Sequence, residues 1–74
     1  NPATTIEFNL SESGWTTLTI HNTLGQIVSK LVDETLDAGS HTVQFNASDL
    51  PSGIYVYRIS TGSRMAEKKM LLLK

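Results

Sequence analysis

The chain contains no cysteine. No disulfide can brace it and no thiolate can hold a metal. Aromatic residues are few: Trp15, Tyr55, Tyr57, Phe8 and Phe45 supply all the bulk of that kind. No run approaches the roughly 20 apolar residues of a membrane-spanning helix. Net charge is −1, too small to suggest a nucleic-acid binder. The 74 residues fit one domain, which at this size buries only about 60–65% of its unfolded surface. Modest stability is expected.

The chemistry of sites is also sparse. His21 and His41 are the only imidazoles, and both read as outward-facing strand positions. A shared face with Asp33, Glu34 or Asp37 would suit a metal; two solvated histidines and solvated turn acids are the simpler reading. The acids lack calcium-loop spacing. No Gly-x-Ser-x-Gly elbow presents a serine, and no glycine-rich turn opens a helix to cradle phosphate. Seven carboxylates in a domain without a cleft rarely make a glycosidase pair. Trp15 reads as partly exposed, but a single aromatic makes a weak sugar platform. The expectation is therefore no catalytic residue, no metal, no cofactor, no small-molecule substrate and no nucleic acid.

What the chain does have is regular punctuation. Polar turn clusters fall at residues 11–14, 22–25, 33–39, 46–53 and 61–63. They divide it into six extended candidates at the spacing of a β-sandwich. Thr4 to Leu10 alternates, with Ile6, Phe8 and Leu10 on one face. Trp15 to His21 follows, with Leu18 and Ile20 inward and Thr17, Thr19 and His21 outward. Gly25 suits a left-handed hairpin turn, so the second and third strands should pair antiparallel. Ile27 to Val32 breaks alternation, which predicts a bulge. His41 to Asn46 places Val43 and Phe45 inward, and Leu50 plugs the core from the next loop. Ile54 to Ser60 is apolar on both parities, as in a central strand covered on two sides. With Tyr55, Tyr57 and Ile59, these inward residues form the expected core.

The tail is the odd part. Residues 1–57 carry six acids against Lys30, a charge of −5, whereas residues 58–74 carry five bases against Glu67, a charge of +4. Either the last segment lies beside acidic neighbours within the domain, or it is a cationic docking element. Residues 64–74 are rich in helix formers, and Ala66, Met70 and Leu73 fall at helical spacing. Against a helix, Ser63 lacks the partner that completes a capping box. Five preceding strands make a sixth the economical answer. The chain opens on Asn1-Pro2, a turn or linker dipeptide, without an initiator methionine. It is expected to be a single C-terminal domain, residues 1–74, of a larger secreted protein.

The stretches NPATTIEFNL, TLTIHNTLGQIVSKLV, LDAGSHTVQFNASDLPSGIYVYRI and KKMLLLK, in that order, resemble the C-terminal sorting domain of type IX secretion cargo. They also resemble the related immunoglobulin-like domain of flagellar hook-capping proteins. The resemblance implies an immunoglobulin-like antiparallel β-sandwich of six or seven strands. It implies a non-catalytic address label on an upstream cargo domain, exported to the periplasm and then to the cell surface or medium. The implied partners are an outer-membrane secretion translocon and a sortase-like surface protease. Gly25 and Gly39 match the family's glycines, and Pro51, Gly53 and Tyr55 match its Pro-x-Gly-x-Tyr turn-strand. The terminal apolar-basic strand maps to Lys68, Lys69, Met70, Leu71, Leu72, Leu73 and Lys74, the candidates for the sorting signal. The ending here is leucine-rich with one terminal lysine, where many sorting domains are valine-rich with a lysine pair. A structural module of the hook-cap type is the alternative, and a carbohydrate-binding module the next.

Overall fold

The computed structural model describes residues 3–73; Asn1-Pro2 and Lys74 lie outside them. Six strands follow in chain order: β1 (Ala3–Leu10), β2 (Gly14–His21), β3 (Ile27–Leu36), β4 (Gly39–Asn46), β5 (Gly53–Thr61) and β6 (Arg64–Leu72). β1 and β4 form a two-stranded sheet, and the other four form a second sheet in the order β3-β2-β5-β6. Every pairing is antiparallel. This is the expected all-β sandwich, and the tail is a strand.

Alternation decides which side chains meet between the sheets. Ile6 of β1 and Phe45 of β4 share one buried cluster with Leu18, Ile20, Val32, Tyr55 and Leu72 of the larger sheet. Leu10 is buried as well. Central strand β2 is covered most completely: Thr16, Leu18 and Ile20 are each 0% exposed. The Thr16 hydroxyl donates to the Gly14 carbonyl at 3.1 Å and meets the Thr61 hydroxyl at 3.2 Å, so its burial leaves no polar group unsatisfied. Phe8, Val43, Leu50, Tyr57 and Ile59 are only partly buried against the cluster. For Tyr57 and Ile59, which belong to the larger sheet, the cause is the unequal width of the layers. Strands lie about 4.8 Å apart, so two strands cover about half of a four-stranded face.

The turns explain the glycine pattern. Asn22 organises the β2–β3 loop: its Oδ1 accepts the amides of Leu24 and Gln26, each at 3.0 Å. Gly25 sits there at φ 82°, a conformation that costs other residues about 1–2 kcal/mol. Gly62 and Ser63 join β5 to β6. With φ 59° at Gly62 alone, this loop is the II′ turn that fits twisted hairpins. The loop before β5 is closed by the Tyr55 hydroxyl, which donates to the Pro51 carbonyl at 2.7 Å. That bond gives the Pro-x-Gly-x-Tyr spacing its physical meaning. Tyr55→Phe should lower stability by about 0.5–1.5 kcal/mol, a fall in Tm of roughly 4–8 °C per kcal/mol in thermal unfolding followed by circular dichroism.

β3 carries the predicted irregularity. Its register with β2 shifts twice, between Leu18 and Thr19 and between Ile20 and His21. Leu31 and Val28 are the extra residues that this register passes over, which accounts for the mixed parity of the strand.

Four expectations need correction. Residues 33–36 continue β3 instead of opening a turn; charged side chains suit an edge strand, so acidity there did not mark a loop. Thr19 and His21 do lie on the outer face but are buried, at 8% and 6% exposure. Thr19 sits between Lys30 and Arg58 in register, and the loop after β2 reaches back to His21. His41 shares the parity of Val43 and Phe45, not the outward one. It lies opposite Phe8, their rings stacked 5.5 Å apart. Finally, β5 is central between β2 and β6, yet its outer face is not covered, since Ile54 is 50% exposed.

Candidate functional site at the terminal strand

The two histidines do not meet at a site. The imidazole of His21 bonds to the Gly25 carbonyl through Nδ1 at 3.2 Å and to the Thr19 hydroxyl through Nε2 at 2.9 Å. A carbonyl can only accept, so Nδ1 carries the proton, and in the neutral ring Nε2 accepts from Thr19. His41 Nε2 donates to the Asp37 carbonyl at 2.7 Å. Both rings brace local backbone. Among the described residues no three His, Asp or Glu side chains gather where a metal ion could bind. Asp33 is engaged by the Trp15 indole N–H at 2.9 Å and by Lys30 at 3.5 Å.

The feature that stands out is β6. It pairs with β5 from Gly53↔Leu72 to Thr61↔Arg64 without a register shift, and its other edge pairs with no strand among the described residues. The register sorts its side chains. Met70 and Leu72 lie opposite Tyr55 and Gly53; Leu72 is buried in the core and Met70 packs on its margin. Leu71 lies opposite Ile54 on the outer face. Leu71 is 64% exposed, and Leu73, two residues on, is 70% exposed. Lys68 shares the inner parity but stays exposed.

No acidic strand lies beside this basic segment, which overturns one of the two explanations for its charge. Neighbouring β5 carries Arg58 and no carboxylate. The sole acid of β6, Glu67, accepts from Arg58 Nε at 2.7 Å. Among the described residues, Arg64, Lys68 and Lys69 make no ion pair. Lys69 instead borders an open depression of about 430 Å³ floored by His21, Ile54 and Val56.

Sequence reasoning missed the rest of this surface. Leu24 at the hairpin tip, Ile27 and Ile54 are also exposed. Ile27, His21 and Val56 stand in one cross-strand row, with Lys69 at its end. The doubled apolar parity of Ile54 and Val56 was the available signal, but it points equally to a covered face.

Pro51, Gly53 and Tyr55 act as scaffold for this edge. Their loop launches β5, and Gly53 stands opposite Leu72. Gly39 begins β4 opposite Leu10.

The described residues thus form a small β-sandwich whose terminal edge strand is both apolar and basic. The chain belongs to the secretion system C-terminal sorting domain family, which it matches over residues 1–73. Searches of curated proteins and of solved structures found no match. The family is the sorting signal of type IX secretion, so this domain accompanies an upstream cargo, engages the type IX machinery, and directs export to the cell surface or beyond. The family is not known as catalytic.

Proposed function

We infer that the chain is a non-enzymatic address module whose readable element is the terminal strand. Joined to the C-terminus of an exported cargo, it crosses the periplasm and is gripped at residues 68–74 by the outer-membrane translocon. A sortase-like protease at the surface then removes it. One observation carries this reading: among the described residues, β6 joins a backbone edge that pairs with no strand to exposed Leu71, with exposed Leu73 just beyond it, and to cations that make no ion pair. An exposed strand edge is a template for another chain.

The test is delivery. Residues 1–74 are fused to a periplasmic reporter in a host with the type IX system, beside a second fusion lacking residues 70–74. The first should reach the surface or medium, and the second should stay in the periplasm. Periplasmic retention of both overturns the reading.

A further inference from the structure

Every strand at the margin of a sheet here presents an edge, and the four differ. The outer parities of β1 and β4 are polar: Thr5, Glu7 and Asn9 on one, Thr42, Gln44 and Asn46 on the other. Neither strand carries an exposed large apolar side chain. β3 is interrupted by its two register shifts and bears Asp33 and Glu34, both devices that blunt an edge. β6 alone is an unshifted nine-residue edge with Met65 and Leu71 exposed on one face. It is also the edge whose lysines make no ion pair among the described residues.

From this we propose that β6 takes up one extended strand of a partner protein, acidic opposite Lys68 and Lys69 and apolar opposite residues 70–73. The proposal rests on the address reading and adds the chemistry of the partner. Lys68 and Lys69 project to opposite faces, so a basic patch on one face cannot explain both, nor can a flat acidic surface meet both. A paired strand meets both, because its own successive side chains also alternate between the faces. Opposite charges directly across a pair attract, and like charges repel. Beyond the lysines, half-buried Met70 lies on the inner face two residues before core-buried Leu72, while Leu71, Leu73 and Ile54 are exposed outside. The partner strand, running antiparallel to β6, therefore reads as apolar residues on both faces followed by two adjacent acids.

The test is nuclear magnetic resonance on the 74-residue chain titrated with a blocked octapeptide, Thr-Val-Ile-Val-Glu-Glu-Thr-Val. The control peptide has Lys-Lys in place of Glu-Glu. Amide shifts should concentrate in residues 64–73, and the acidic peptide should bind at least about fivefold more tightly than the basic one. The preference should shrink with added salt and invert in the double variant Lys68→Glu and Lys69→Glu. Both lysines are exposed, so that variant should keep its fold. Equal binding of the two peptides, binding of neither, or shifts centred on β1, β3 or β4 would overturn the proposal. So would concentration-dependent shifts in β3 and β6 without peptide, which would assign the edge to a second copy. In the delivery assay, a charge-reversed module that still reaches the surface, while the 70–74 deletion does not, defeats the acidic partner and leaves the address reading intact.

Discussion

Phe45→Ala should remove a large share of the stability of this domain. Phe45 is the largest side chain with under 2% exposure, and β4 places it against the cluster formed with β2 and β5. Truncating a buried phenylalanine costs about 3–5 kcal/mol, through lost transfer free energy and the cavity left behind. Stabilities of about 0.05–0.15 kcal/mol per residue put a domain of this length at about 4–11 kcal/mol in total. The chain has no cysteine, so no disulfide stands behind the core to compensate. Urea denaturation followed by circular dichroism should show the midpoint falling by a third or more. A loss below about 1 kcal/mol would mean that the two sheets do not depend on each other as described.

The second large effect is local to the terminal strand. Leu72 is buried at 6% exposure while its neighbour Leu71 is 64% exposed, because adjacent residues of a strand face opposite ways. Leu72→Ala should cost about 2–4 kcal/mol and speed hydrogen exchange first in residues 64–72, as the end of β6 loses its hold on the core. Leu71→Ala should change stability by no more than about 0.5 kcal/mol. The pair of substitutions separates what anchors the strand from what it presents. Equal costs at the two positions would contradict the register between β5 and β6.

Much of this architecture is legible in the sequence. The alternation of Ile6, Phe8 and Leu10 gives β1 and its face, and the broken alternation of Ile27 to Val32 gives the irregular β3. Gly25 marks the hairpin it occupies. The terminal segment reads as a strand despite its helix-forming composition because five strands precede it and no capping box opens a helix; the structure pairs Met70 with Tyr55 and Leu72 with Gly53. Alternation says which way a side chain points, not what lies over it. His21 faces outward as its parity requires, yet a carbonyl of its own hairpin covers it. Ile54 and Val56 carry the pattern of a doubly covered strand but have no second layer above them. The division into two and four strands depends on long-range pairing that no local pattern encodes. That division makes β6 an outer strand of the larger sheet with one edge unpaired among the described residues, and so decides the character of the candidate site.

The most direct measurement is the export of a module that is folded but altered only on the outward side of its last strand. Leu71→Ser with Leu73→Ser changes two exposed side chains and leaves Leu72 in the core. With circular dichroism matching the unaltered domain, a fused reporter should accumulate in the periplasm instead of at the surface. Delivery equal to that of the unaltered fusion would show that the machinery reads something other than this edge.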